Sequence, residues 1–169
     1  MNKHGGYFGQ DKNNVIDFSV NINPLGVPKK LIEKLKLSLE NLQSYPEIDG
    51  ESGKKQLSEK LNISSDNIIL GNGATELIYL FSKTFKPKKV MIIQPTFTEY
   101  ERAFKINGSN IYHFKTLENQ NFKINIRVLL DKVDKVKPDL LVLCNPNNPT
   151  GVFTEFKNMI PVFEKLKKM

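Results

Sequence analysis

The sequence predicts an α/β fold with a mostly parallel sheet, preceded by an amino-terminal arm. Three observations lead there. From Ile68 onward, short apolar runs alternate with amphipathic stretches of helical period. Glycine and proline punctuate the breaks between them, and polar loops rich in glycine, proline or asparagine follow three of the apolar runs.

The arm comes first. Asp17-Phe18-Ser19-Val20 has the pattern of a short strand, and Asn21-Ile22-Asn23-Pro24-Leu25-Gly26 is a turn, because Pro24 steers Asn23 away from helical backbone. Pro28 suits the first turn of a helix reaching about Leu42, with Leu31, Ile32, Leu35, Leu39 and Leu42 at helical spacing. A weaker helix is expected over 52–61. Beyond it, strands are expected at Ile68–Leu70, Val90–Ile93, Ile111–Phe114 and Leu140–Leu143, and helices near 74–84, 97–106, 126–136 and 155–167. Gly108 and Pro138 fall where this alternation needs stops. The expected division is 1–65, an arm with helices, and 66–169, the sheet-bearing part.

Composition narrows the function classes. The 169 residues are 39% apolar and 25% charged, which is ordinary for a globular chain, and the single cysteine, Cys144, cannot form an internal disulfide. The apolar runs are too short to cross a bilayer and the start carries no signal-peptide pattern, so a cytoplasmic protein without a membrane role is expected. Net charge is +7, from 25 basic and 18 acidic residues. Only Arg102 and Arg127 are arginines, and the lysines are interspersed with acids, which argues against a nucleic-acid partner. No metal ligands are assigned.

In parallel sheets, ligands gather beyond the carboxyl ends of the strands. Gly71-Asn72-Gly73 leading into a helix can cradle a phosphate on the N–H groups of Ala74, Thr75 and Glu76, although Glu76 replaces the third glycine of a dinucleotide fingerprint. Taken alone, it reads equally as a plain strand-to-helix turn. Phe97, after Pro95-Thr96, could stack on a flat heteroaromatic ligand, while by itself it reads first as core packing. Asn145-Pro146-Asn147-Asn148-Pro149-Thr150-Gly151 is the most specific of the three: two prolines and a glycine force a rigid turn, and asparagine can orient a phenolate or carbonyl oxygen without charge.

Together the three loops resemble those of the fold-type I pyridoxal-phosphate enzymes of the class I/II aminotransferase superfamily, whose Asn-Pro-Thr-Gly signature is matched by Asn148-Pro149-Thr150-Gly151. His4-Gly5-Gly6, Asp17-Phe18-Ser19, Asn23-Pro24-Leu25-Gly26, Tyr45-Pro46 and the run from Pro95 to Arg102 are most similar to the threonine-phosphate decarboxylases of cobalamin biosynthesis, with the histidinol-phosphate aminotransferases as close relatives. The similarity covers 4–165, corresponding to the amino-terminal half of that family. It implies a three-layer α/β/α large domain with pyridoxal 5'-phosphate as cofactor. Gly73, Ala74 and Thr75 would hold the phosphate, Phe97 would stack on the pyridine, and Asn148 would bond the ring oxygen. Tyr45 would reach the cofactor of a neighbouring subunit in a homodimer. His4, Asn23, Leu25 and Gly26 would contact or close over a phosphorylated amino-acid substrate. Gly53-Lys54-Lys55-Gln56-Leu57 departs from the family's usual Leu-Arg pair.

The resemblance also says what to expect beyond these residues. The Schiff-base lysine, the aspartate at the pyridine nitrogen and the arginine for the substrate carboxylate would lie past residue 169, so no catalytic residue is assigned here. The family's sheet would leave Ile68–Leu70 without its neighbour strand and expose sheet edges, so 1–169 alone is expected to be inactive and to fold poorly or self-associate. The activity implied is decarboxylation of O-phospho-L-threonine. Amino transfer with histidinol phosphate or another amino acid is the alternative, and a non-catalytic phosphate-ligand-binding or assembly fragment is a third reading.

Overall fold

The computed structural model describes Gly6 and residues 14–168. The chain divides into two compact units, 1–51 and 52–169.

In the first unit, α1 (Lys29–Ser38) begins after Pro28, whose carbonyl accepts from Leu31 N at 2.9 Å, and it tightens into a 3-10 turn over Leu39–Gln43. The single long helix expected to Leu42 is thus two segments, and its leucine stripe stays exposed. Asp17–Val20 is no strand: Asp17 Oδ1 accepts from both the N–H and the hydroxyl of Ser19, which draws the backbone into a bend.

The second unit contains α2 (Glu51–Leu61, from Ser52), α3 (Ala74–Phe85), β1 (Lys89–Gln94), α4 (Thr98–Ile106), β2 (Asn110–Lys115), α5 (Ile126–Val136), β3 (Leu140–Val142) and α6 (Phe156–Lys167). The three strands pair in the order β2-β1-β3, all parallel. Parallel neighbours need a crossover, and α4 and α5 supply the two connections. Central β1 is covered on both faces, so its inner residues, Val90-Met91-Ile92-Ile93, read as an unbroken apolar run and are all buried. Val90 and Ile92 pack with Phe104 and Tyr100 of α4 on one face. Met91 and Ile93 pack with Leu129 and Val133 of α5 and with Met159 and Val162 of α6 on the other. This is the expected three-layer α/β/α arrangement. Asp139 Oδ2 accepts from the N–H groups of Lys88 and Lys89, both at 2.9 Å, and so aligns the starts of β1 and β3.

Helix α3 lies on α4. Ser82, fully buried, donates to Ala103 O at 2.8 Å and accepts from Asn107 Nδ2 at 2.8 Å. Gly108, at φ +85°, closes the turn after α4 as its position in the sequence requires. One expected strand does not form. Ile68–Leu70 pairs with nothing in the sheet, and Ile69 is 68% exposed. A strand exists through its neighbour's hydrogen bonds, and none is present beside these residues among those described.

Candidate functional site

The ends of β1 and β3 and the start of α3 carry the three loops picked out by the sequence. Gly73 caps α3 at φ +88°, ψ 165°, a backbone region nearly reserved for glycine. No side chain caps the first turn, and a Cβ on Gly73 would meet no atom within 4 Å, so the loop is open to an approaching ligand. The positive end of the 12-residue helix faces that opening. Glu76 reaches back to accept from Asn72 N, and a Cβ on Gly71 would strike Leu77 Cδ2 at 2.8 Å. The atoms it would meet belong to the flexible side chains of Leu77 and Glu76, which can shift to make room.

Phe97 caps α4 and is half-buried, its ring edge-on to Tyr100 with centroids 6.0 Å apart. Tyr100 lines an apolar groove together with Ala74, Leu77 and Leu143, which brings the start of α3 and the end of β3 to one place. Burial, followed by the neighbouring Cys144, pushes the Tyr100 phenol up to about 12. The Cys144 thiol in turn accepts from Asn148 N at 3.5 Å. Asn147 Nδ2 donates to Pro95 O at 2.9 Å and to Thr150 Oγ1 at 2.8 Å. Asn145 closes the base of the same turn through Thr154, with bonds of 2.8 Å in both directions. Peptide bonds 94–95, 145–146 and 148–149 are cis.

Beside the loops, Glu101 of α4 accepts from Gln94 Nε2 at 3.1 Å, meets His113 Nε2 at 2.9 Å and pairs with Lys105. Burial pushes its carboxyl up, but Lys105 and His113 outweigh that and hold it below the usual carboxylate range.

Of the residues singled out by sequence, Phe97 and Ala74 are related through Tyr100, which is edge-on to the one and lines a groove with the other, and the turn of Asn148 is tied to the Phe97 loop by Asn147; Gly73 and Thr75 flank Ala74. Tyr45, Asn23, Leu25 and Gly26 belong to the other unit. Tyr45 is fully exposed and Leu25 is 92% exposed. Asn23 is engaged within its own turn: Oδ1 accepts from Leu25 N at 3.0 Å, Nδ2 donates to Gly26 O at 3.2 Å, and Gly26 adopts φ +73°. His4 lies outside the described residues.

Sequence reasoning missed Thr96. Its Oγ1 is buried with no hydrogen-bond partner among the described residues, beside the aromatic that caps α4. No pattern in the sequence signals an orphan hydroxyl, because it is defined by what surrounds it.

An α/β/α layer carrying a glycine-opened helix start, an aromatic plate and an Asn-Pro-Thr-Gly turn at one end of a parallel sheet defines the class, and the family model "Aminotransferase class I and II" matches residues 13–168. The chain belongs to that family. Among particular proteins, it is 44% identical over 131 residues to a Caldanaerobacter subterraneus subsp. tengcongensis protein provisionally named a threonine-phosphate decarboxylase, covering 78% of this chain and 35% of that one. It is 32% identical over 163 residues to the threonine-phosphate decarboxylase of Salmonella typhimurium, covering 95% of this chain and 44% of that one. The crystal structure of the Clostridium acetobutylicum histidinol-phosphate aminotransferase superposes with a TM-score of 0.79 at 32% identity, over 91% of this chain and 44% of that one. The chain spans less than half the length of these relatives.

Proposed function

We propose that this chain forms the cofactor cradle and substrate arm of a cytoplasmic, homodimeric pyridoxal-phosphate enzyme that decarboxylates O-phospho-L-threonine. The observation that carries the reading is that Asn147 ties the Asn148 turn to the Phe97 loop while Tyr100, edge-on to Phe97, lines one groove with Ala74 at the start of α3. The residues present fit such a cofactor. The open Gly73 turn and uncapped α3 suit a phosphate, the Phe97 ring suits a flat heterocycle, and Thr96 Oγ1 is an orphan that a bound polar group would satisfy.

When bound, the cofactor supplies an electron sink for the pair released as a bond at the substrate α-carbon breaks. The residues of this chain bind and orient. Gly73, Ala74 and Thr75 neutralise phosphate charge with backbone N–H groups, Phe97 fixes the ring plane, and Asn148 holds the ring oxygen by an uncharged hydrogen bond. Tyr45 serves the cofactor of the second subunit. His4, Asn23, Leu25 and Gly26 serve the substrate, and Asn23 does so by shaping its turn. No residue of 1–169 takes the covalent role, and 1–169 alone is inactive.

The test has two arms. Residues 1–169 titrated with pyridoxal 5'-phosphate should bind it reversibly and lose it on dialysis; an imine absorbance band surviving dialysis would show a lysine here acting as anchor. The complete protein given O-phospho-L-threonine should release carbon dioxide and an amine phosphate. A phosphorylated ketone formed from histidinol phosphate, with the amino group passed to a 2-oxo acid supplied as acceptor, would instead favour amino transfer, the reading supported by the structural match to the aminotransferase.

A further inference from the structure

The 94–97 and 145–151 loops are joined by a direct hydrogen bond. Asn147 Nδ2 donates to Pro95 O at 2.9 Å across 52 residues of sequence. Two residues on, the Phe97 ring stands edge-on to Tyr100, and in the other loop the Cys144 thiol accepts from Asn148 N. Asn148 follows Asn147 in the chain. Asn147 is also pinned within its own loop: its N–H donates to Val152 O at 2.9 Å, its carbonyl accepts from Gly151 N at 2.7 Å, and Nδ2 also donates to Thr150 Oγ1 at 2.8 Å. A self-contained turn would need only those three bonds. The fourth, to Pro95, makes the position of one loop depend on the other.

We propose that Asn147 is the positioning residue that locks the Phe97 loop and the Asn148 loop into one frame, and so fixes how a flat heteroaromatic ring lies between them. This rests on the cofactor reading above. Asn147 touches no ligand in this scheme and acts through Phe97 and Asn148. The phosphate end of the same ligand is held by the start of α3, which bonds to neither loop through Asn147. Ring and phosphate are therefore separable in their response to substitution.

Asn147→Asp keeps size and shape but removes the donor and sets a carboxylate against the Pro95 carbonyl. Its affinity for pyridoxal 5'-phosphate should fall about tenfold, while its affinity for inorganic phosphate stays within about twofold of the parent. Hydrogen exchange in the 94–100 segment should speed up, with exchange in β1 unchanged. Equal losses for both ligands, or no loss for pyridoxal 5'-phosphate, would overturn the proposal. Should the parent protein bind no pyridoxal 5'-phosphate at all, the cofactor reading fails by itself. Exchange then decides the lock alone: faster exchange in 94–100 sustains it and an unchanged rate removes it. If Asn147→Asp does not fold, Asn147→Ala is measured in the same way, and failure of both to fold assigns Asn147 to folding and overturns the positioning role.

Discussion

Two short apolar runs in the same unit, Ile68–Leu70 and the core of β1, look alike in sequence and end up in opposite conditions. β1 is paired on both edges, covered on both faces and almost fully excluded from water. Ile68 is buried, but Ile69 and Leu70 are exposed and no strand neighbours them. The difference teaches that apolar content nominates a strand and that pairing makes one. β3 lies between these extremes, with one edge bonded to β1 and the residues of its other side lining an apolar groove with α3.

Truncation on the two runs should break the comparison most visibly. Met91→Ala in β1 removes a fully buried side chain between two helices and should cost about 2–5 kcal/mol in urea unfolding. Ile69→Ala should stay within about 0.5 kcal/mol. Similar losses at both sites would mean that 68–70 is covered in solution.

Gly73→Ala comes next. The substitution meets no neighbour, so its cost is purely the strained backbone at φ +88°, about 1–3 kcal/mol, and phosphate affinity should fall with it. A neutral result would show that the turn relaxes easily.

Thr96→Val should have the opposite sign. Removing an orphan hydroxyl should raise the unfolding free energy of the unliganded protein by about 1 kcal/mol, yet lower pyridoxal 5'-phosphate affinity by about fivefold. A rise in both would exclude the hydroxyl from the ligand site.

The smallest effects are in pH dependence. The Tyr100 phenol is raised from 10.0 to about 12 by burial and by Cys144, so its contribution is complete below pH 10 and fades as pH climbs toward 12. Tyr100→Phe should flatten stability across that window in thermal scans. Glu101 has the reverse sign: its carboxyl is held below 4.5, so its contribution is complete above that pH and fades as the solution is acidified further. Glu101→Gln should remove this acid-side slope.

Much of the site could be read in advance because its parts are local. Glycine at positive φ, a helix start without a capping side chain and a proline-locked asparagine turn are each encoded within a few residues, and the Asn-Pro-Thr-Gly signature tied them to a family. The locks between them could not be read. Asn147 reaches Pro95 across 52 residues, and Tyr100 meets Cys144 only because α4 crosses back over the sheet.

The sequence by itself determined the alternation of helix and strand, the two-faced apolar run of β1 and the residue types in each loop, since these depend on periodicity and on local backbone preference. Tertiary structure alone decided that Asn147 reaches Pro95, that Ser82 of α3 is buried against α4 and that Thr96 is left without a partner among the described residues. The physical reason is the same in each case. Hydrogen bonding and burial belong to pairs of groups, and a single chain position carries only one member of the pair.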